Sequence, residues 1–246
     1  MKYCFLLFLL TIHLSTTVAQ TKMRSVDELI NNTEPGWILV KQWIDSAKNK
    51  VDILTADTSK TKDALYKTQV TTRSPMGTIV YMTGGLLIDN GWIRILGSGN
   101  ERLNRSLPYW NKGKAFAEFG QPATFLLIAD DVLGGFFILN GGALGKDLGK
   151  VYYFSPDNLK YEPLDLSYTG FLDFCFNSDL NKFYKGYRWP NWKEEVSKLA
   201  GDKVFHFSPT LWSKEGKDFN ENSRTIVAIE EQYNLNISFR KQLGIQ

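Results

Sequence analysis

Cysteine and histidine, from which most zinc sites and many nucleophilic centres are built, are nearly absent from this sequence. Of its 246 residues, two are cysteines and two are histidines. One of each, Cys4 and His13, lies in an N-terminal segment that we expect to be removed, which leaves Cys175 and His206. A single cysteine excludes an internal disulfide, and the remaining pair excludes the usual Cys/His zinc sites. We predict no metal and no cofactor, although a metal held by oxygen ligands stays open.

Long hydrophobic runs are also lacking, apart from one at the N-terminus. There, Lys2 precedes an apolar stretch over residues 4–14, and the small residues Thr17 and Ala19 follow at the positions that a signal peptidase reads. This pattern predicts a signal peptide over residues 1–19 and an exported product, periplasmic or secreted. The apolar stretch is shorter than the about 20 residues of a membrane-spanning helix, so we expect no membrane anchor.

The sequence has no strong excess of charge of either sign. Its 29 lysines and arginines against 26 aspartates and glutamates give a formal net charge of +3, which the loss of Lys2 with the leader lowers further. Nucleic-acid recognition usually requires a strongly basic face, so we predict no nucleic-acid partner. Nucleotide fingerprints are absent too. The run Gly97-Ser98-Gly99 lacks the third glycine or the Lys-Ser/Thr ending, which favours a plain turn over a phosphate loop.

The sequence does contain a dense run of strand and turn signals between residues 125 and 176. Three β-rich apolar runs, Phe125–Ile128, Phe136–Leu139 and Val151–Phe154, are separated by glycine-containing turns. Runs of this length with such turns between them are typical of adjacent antiparallel strands. We therefore predict a three-stranded meander.

A helix is predicted to return over this meander. From residue 167 the apolar residues recur at helical spacing, namely Phe171, Phe174, Cys175 and Phe176. We expect Phe171 and Phe174 to cover the sheet face that carries Phe136 and Ile138. Truncating Phe174 should then cost more stability than truncating Phe176, and Cys175 should behave as a small core residue rather than a nucleophile.

The flanking regions predict further helices and strands. A capping box at Ser25–Glu28 begins a short helix, and the pair Asn90-Gly91 is the strongest hairpin signal in the chain. Helices are also predicted over 35–48, 63–68, 189–199 and 231–243, with a polar irregular segment over 55–62. Strands are also predicted over 78–82, 86–88, 92–96, 204–207 and 225–229. This pattern predicts an α+β fold, a single domain over residues 20–246 with a mostly antiparallel sheet covered by helices.

Polar candidates for chemistry are few. Asp130 and Asp131 at a strand end could bind a hard cation or act as an acid and base pair, but adjacent side chains of a strand point to opposite faces. A turn-forming role is therefore favoured for both. His206, which a Ser-His-Asp triad would require, alternates with Phe205 and Phe207 in a strand and is expected to face outward as a structural residue.

Aromatic side chains offer a stronger indication of a binding surface. Those that could line a groove, with Arg188 nearby, are Tyr109, Trp110, Tyr184, Tyr187, Trp189 and Trp192. Amphipathic aromatics suit a ligand or carbohydrate groove or a protein interface, while core packing is the alternative for about half of them. The predicted binding residues, with one carboxylate added, are Tyr109, Trp110, Asp130, Arg188, Trp189 and Trp192.

Several motifs resemble a known bacterial family. They are Ile-Ala-Asp-Asp, Gly-Gly-Phe-Phe-Ile-Leu-Asn and Gly-Lys-Val-Tyr-Tyr-Phe of the central unit, with Arg73–Gly77, Gly91–Gly99 and Trp189–Trp192 outside it. Most of the mature chain is thereby similar to the domain of unknown function numbered 2625, a resemblance that implies no known activity, catalytic residue or ligand. More distantly, the order of turns, strands and Phe-rich helix resembles the Smi1/Knr4-like superfamily, which is α+β and includes toxin-immunity proteins that act by binding.

Two functions from different classes follow from these observations. The missing catalytic constellation and the aromatic groups favour an exported, non-catalytic module that binds a protein partner or a ligand. The alternative is a hydrolase-like enzyme that uses carboxylates near Asp130 or Glu101.

Overall fold

The computed structural model describes residues 22–219 and 221–245, and the predicted leader over residues 1–19 lies outside them. The helices are α1 Val26–Leu29, α2 Gly36–Asp45, α3 Thr58–Thr68, α4 Pro75–Met82, α5 Leu107–Asn111, α6 Tyr168–Asn177, α7 Leu180–Phe183, α8 Trp192–Ser197 and α9 Ile229–Gln242. The strands are β1 Val51–Thr55, β2 Thr83–Ile88, β3 Ile93–Leu96, β4 Phe125–Asp131, β5 Phe136–Asn140, β6 Lys150–Phe154, β7 Tyr161–Ser167, β8 Lys203–Ser208 and β9 Ser223–Ala228.

Strands β1 to β7 form one sheet in which each strand pairs antiparallel with its neighbours in the sequence. Strands β8 and β9 form a separate antiparallel pair, and the Phe205 N–H donates to the Val132 carbonyl oxygen at 2.9 Å to join it to the end of β4. The α+β prediction, with a mostly antiparallel sheet covered by helices, is confirmed. Within the described ranges, no helix has both the length and the apolar character needed to cross a membrane.

Local signals placed several elements correctly. The capping box is present, since the Ser25 hydroxyl accepts from the Glu28 N–H and the Glu28 carboxylate accepts from the Ser25 N–H. The predicted hairpin at Asn90-Gly91 joins β2 to β3 through a 3₁₀ turn in which Asn90 has φ 63° and Gly91 has φ 91°. Asparagine and glycine tolerate this left-handed region better than other residues, which explains why the pair marks the turn.

The predicted strand over residues 78–82 is wrong, because this segment belongs to helix α4. The Ser74 hydroxyl caps the helix by accepting from the Gly77 N–H, and Pro75 occupies the first turn, where its missing N–H costs nothing. The helix is buried over five consecutive residues, from Met76 to Val80, so it shows no alternation of polar and apolar faces there. A short apolar run without a polar face has neither helical nor strand periodicity, and the caps decide its structure.

Two edge strands, the short helices α5 and α7, and half of α3 were not predicted. The polar segment over residues 55–62 contains the end of β1 and the first turn of α3, which the Asp57 side chain caps by accepting from the Ser59 N–H. Strand β7 contains Pro163 and a left-handed Asp165 at φ 57°, beside a break in the register with β6. Proline and a bulge are common on edge strands, and both hide the alternating pattern.

Helix α6 covers the sheet, but on the face opposite to the predicted one. Phe171 packs on Phe137, with ring centroids 4.8 Å apart, whereas Phe136 packs against Tyr233 of α9 at 5.1 Å. Within α6, Phe176 is fully buried and Phe174 is partly exposed, so burial reverses the order expected for their truncation. Both faces of the central strands are thus covered by helices, and the strand pattern alone could not tell which helix covers which face.

Candidate functional site

Strand β4 ends in two adjacent carboxylates, Asp130 and Asp131, which are both completely buried. Because consecutive side chains of a strand point to opposite faces, each contacts different residues. The predicted turn-forming role is confirmed for Asp131, whose Oδ1 accepts from the Leu133 and Gly135 N–H groups at 2.9 Å. It is wrong for Asp130, which lies inside the strand and pairs with Arg94 of β3 in the ladder.

Asp130 is the shared partner of two buried guanidinium groups. Its Oδ1 accepts from Arg94 Nε at 2.6 Å and its Oδ2 accepts from Arg105 Nη1 at 2.7 Å. The two arginine side chains are only 3% and 8% exposed. Backbone carbonyls fix both further, since Arg94 Nη1 donates to Lys203 O at 2.5 Å and Arg105 Nε donates to Gly201 O at 2.9 Å.

The pKa of Arg94 is lowered in this cluster. Burial is the main cause, the Asp130 carboxylate opposes it, and the neighbouring Arg105 charge adds to the lowering. A buried charge is costly unless it is paired, and here two cations share one carboxylate. The Arg105 Nη2 is buried and has no hydrogen-bond partner among the described residues.

Asp131 lies in a different environment, formed by tyrosine hydroxyls. Its Oδ2 accepts from Tyr153 at 2.6 Å and from Tyr184 at 3.0 Å. Complete burial raises the pKa of Asp131, and these hydrogen bonds oppose that shift without cancelling it. The carboxyl group thus connects the β4–β5 turn to the aromatic core without reaching a cavity.

Arg105 lines a groove of about 610 Å³ between α3, the loop over residues 98–106 and α5. The residues around this groove are Ser59, Lys60, Asp63, Ala64, Ser98, Gly99, Asn100, Glu101, Asn104, Arg105, Ser106, Tyr109 and Trp110. Tyr109 is 52% exposed at the rim, whereas Trp110 is 6% exposed. The Arg105 guanidinium carbon lies 4.7 Å from the centre of the Trp110 ring.

The rim of the groove is held in place by a small polar network. The Tyr109 hydroxyl donates to Asp63 Oδ2 at 2.9 Å, and Lys67 Nζ forms an ion pair with Asp63 at 2.7 Å. The same Lys67 ammonium also contacts the Tyr109 hydroxyl and lies 4.4 Å from the centre of its ring. These contacts fix the ring at the rim while leaving half of it open to solvent.

The loop of the groove contains the run Gly97-Ser98-Gly99. It forms a turn as predicted, since the Ser98 hydroxyl donates to the Thr83 carbonyl at 2.8 Å and Gly99 has φ 84°. A Cβ on Gly97 would lie 2.6 Å from the Thr83 oxygen, so this position requires glycine. The close approach to β2 brings residues 98–106 alongside α3.

Three of the other predicted aromatics, Tyr184, Trp189 and Trp192, pack with Arg188 around Trp92, and we call these five residues the tryptophan cluster. Tyr187 lies apart from it, with its ring 5.6 Å from that of Phe219. The centre of the cluster is Trp92, which is completely buried, with ring centroids 5.3 Å from Tyr184, 5.6 Å from Trp189 and 4.9 Å from Trp192. Arg188 lies 4.9 Å from the Trp92 ring and forms an ion pair with Asp89 at 2.6 Å. The cluster is thus part of the packed core, and Trp189 extends it to Phe205, whose ring lies 5.1 Å away.

The six predicted binding residues are divided between these two regions. Tyr109 and Trp110 lie in the groove, and Asp130 lies behind its wall, bonded to Arg105. Arg188, Trp189 and Trp192 lie together in the tryptophan cluster. Sequence reasoning missed Arg105, because a single arginine in a polar loop carries no pattern, and only its contact with Asp130, 25 positions away, reveals its importance.

The remaining candidates have structural positions. Cys175 is buried, and burial raises the pKa of its thiol well above the usual value, as expected for a core cysteine. His206 Nδ1 lies 2.8 Å from Gln232 Oε1 on the side of β8 opposite to the buried Phe205 and Phe207. In the part of the chain that the structure describes, no three His, Cys, Asp or Glu side chains come together as metal ligands.

Comparison with known proteins places these features in a family. An uncharacterized protein of Haemophilus influenzae is 40% identical over 223 residues, which are 91% of this chain and 98% of that protein. The uncharacterized protein YbfG of Escherichia coli K12 is 41% identical over 221 residues, which are 89% of this chain and 98% of that protein. No solved structure matches, and the distant resemblance to the Smi1/Knr4-like superfamily is not shown by these matches. With residues 26–232 matching the family described as "Protein of unknown function DUF2625", the chain belongs to that family.

Proposed function

We propose that this protein is a non-catalytic binding module whose ligand occupies the groove between α3, the loop over residues 98–106 and α5. The observation that carries the proposal is the groove itself, with a volume of about 610 Å³. Ligand sites typically have volumes of about 300–1,000 Å³ and combine aromatic walls with a few fixed polar groups. The groove has both, with Tyr109 and Trp110 as aromatic residues and Arg105 as the fixed polar group.

Rigidity supports a binding role. Arg105 is held by Asp130 and by the Gly201 carbonyl, and Tyr109 is held by Asp63 and Lys67. Side chains that are already ordered lose little conformational entropy when a ligand binds. The groove can therefore bind a small molecule at a low cost in conformational entropy.

The carboxylates named for a hydrolase are less well placed. Asp130 is completely buried, and each of its oxygens already accepts from a guanidinium group, so it has no path to a substrate. Glu101 lines the groove and is exposed, but the chain's one histidine outside the leader, His206, lies in β8 beside Gln232. Binding is the function that this geometry supports best.

A ligand screen with paired variants tests the proposal. We would screen sugars, amino acids and carboxylic acids by ligand-observed NMR against the wild type, Tyr109→Ala and Tyr66→Ala. Tyr66 is the matched control, because it is 37% exposed on α3 but does not line the groove. Ligands of the wild type should bind Tyr109→Ala roughly tenfold more weakly and Tyr66→Ala equally well. A screen without ligands, ligands indifferent to Tyr109→Ala, or turnover abolished by Glu101→Gln would each contradict the proposal.

We also propose that the protein acts after export. The support is the order of Lys2, the apolar stretch and the small residues before residue 20, which is typical of a signal peptide. N-terminal sequencing of the protein recovered from the periplasm or the medium should begin at or next to Gln20. An intact Met1 on cytoplasmic protein would contradict export without affecting the groove.

A further inference from the structure

We propose that the groove recognises the anionic group of its ligand, a carboxylate, through Arg105. The location of the ligand rests on the function proposed above, whereas its charge rests on separate observations. These are the charge balance beneath the groove, the unpaired nitrogen of Arg105, and the charges on the groove walls.

Beneath the groove, two guanidinium groups form ion pairs with a single carboxylate. Arg94 and Arg105 are both buried, and Asp130 is the only carboxylate that forms an ion pair with either among the described residues. Asp131 contributes its backbone carbonyl to Arg94 at 3.3 Å, while its carboxylate is bonded to tyrosines and backbone amides. Buried charges are normally paired, so the second guanidinium creates an attraction for an anion in the adjoining groove.

Arg105 is the guanidinium that lines the groove. Its Nε and Nη1 are engaged by Gly201 and Asp130, and its Nη2 is buried without a hydrogen-bond partner among the residues described. A guanidinium held at two nitrogens keeps a fixed orientation, and its third nitrogen retains the capacity to donate. A carboxylate is a strong acceptor for such a donor, and the Trp110 ring lies beside the guanidinium.

The other charges around the groove do not provide a second attraction for an anion. Asp63 is neutralised by Lys67 at 2.7 Å, and the exposed Lys60 pairs with Asp57 at 3.1 Å. Glu101 forms no ion pair within the described residues and is exposed at the groove. Its negative charge should weaken the binding of an anionic ligand. Removing that charge is therefore a second test, in which the affinity should rise instead of fall.

Benzoate and benzamide form a matched pair of probes, because they share the aromatic ring and differ in charge. We would titrate each into the isotopically labelled protein at constant ionic strength and follow the Arg105 Nε–H and Trp110 indole N–H signals by NMR. Benzoate should shift both signals with saturation, and benzamide should bind about tenfold more weakly. Equal affinities, benzoate shifts confined to other residues, or no benzoate binding would overturn the proposal.

Three substitutions separate a specific site from general attraction. Arg105→Gln should weaken benzoate binding about tenfold with no change for benzamide. Lys62→Gln removes an exposed charge of α3 outside the groove and should change benzoate binding by less than about twofold. Glu101→Gln, at an exposed position, should strengthen benzoate binding about twofold and remains informative if Arg105→Gln fails to fold. If Lys62→Gln weakens benzoate binding as much as Arg105→Gln, or if Glu101→Gln has no effect, the proposal is wrong. Neutral ligands that bind in the groove independently of Arg105 would overturn it while leaving the binding function intact.

Discussion

The groove and the tryptophan cluster contain the same kinds of side chain, yet they differ in what those side chains contact. In the cluster, Arg188 is paired with Asp89 and lies against the rings of Trp92 and Trp192. In the groove, Arg105 shares its carboxylate with a second arginine, and Tyr109 is half exposed. Buried polar atoms without a hydrogen-bond partner occur in both regions, so an aromatic residue beside an arginine indicates a binding site only where the fold leaves the ring open to solvent.

Two consecutive residues connect these regions to the sheet. Asp130 holds Arg105 behind the groove, and Asp131 holds Tyr184, whose ring packs on Trp92 of the cluster. The opposite directions of neighbouring strand side chains make this possible. The end of β4 thus fixes a surface that is open to solvent on one side and a packed core on the other.

The largest expected effect comes from the centre of the cluster. Trp92→Ala removes a completely buried ring that contacts three other aromatic side chains, so it should lower the free energy of unfolding by about 3–5 kcal/mol. Tyr109→Ala is the matched change in the groove and should cost less than about 1 kcal/mol. Urea denaturation measures both. Equal losses would contradict the prediction and would mean that Tyr109 contributes as much to the free energy of unfolding as Trp92.

An intermediate effect is expected from Arg188. Arg188→Met leaves Asp89 without its cation in a site where the two side chains are 11% and 18% exposed, and it should destabilise the protein by about 2–3 kcal/mol. Arg73→Met is the control, because its ion pair with Glu34 has side chains that are 67% and 61% exposed and should contribute less than about 1 kcal/mol. Thermal melts of both variants measure the two losses of stability. Equal losses would contradict the prediction and would mean that the cluster tolerates the loss of its arginine.

The smallest effect concerns pH and Asp131. Burial raises the pKa of Asp131 above its ordinary value of 3.8, so the folded protein binds this proton more tightly than the unfolded chain does. Its contribution to stability is therefore fully present below the unfolded pKa and declines as pH rises through the folded pKa. Asp131→Asn cannot titrate, so its stability deficit relative to the wild type should be smaller at about pH 7 than at about pH 4. A deficit that is the same at both pH values, or larger at pH 7, would contradict the raised pKa.

Much of the central sheet could be predicted because its signals are local. The runs that became β4, β5 and β6 are apolar and separated by glycine turns, and Asn90-Gly91 marks its hairpin by backbone conformation. Helix α4 was mistaken for a strand because its residues are buried all round, and β7 was missed because Pro163 interrupts its pattern. In these two cases the apolar pattern does not decide the structure, since the Ser74 cap and Pro75 begin α4 and pairing with β6 forms β7.

The candidate site was predictable only in part. Tyr109 and Trp110 could be recognised as aromatic residues next to a polar loop, and both line the groove. Arg188, Trp189 and Trp192 have the same composition but pack around Trp92, which the sequence presents only as the start of a strand. Whether an aromatic side chain is exposed depends on elements far away in the chain, so composition could not separate the two groups.

The sequence by itself determined the features that act over a few residues. These are the caps at Ser25 and Ser74, the turn at Asn90-Gly91 and the apolar runs of the meander, since each depends on backbone geometry or side-chain alternation within one segment. Tertiary structure alone decided which charges meet. Asp130 lies 36 positions from Arg94 and 25 from Arg105, and their contact exists because β3, β4 and the groove loop bring all three together. Long-range packing sets both the distance and the burial that give such a pair its strength.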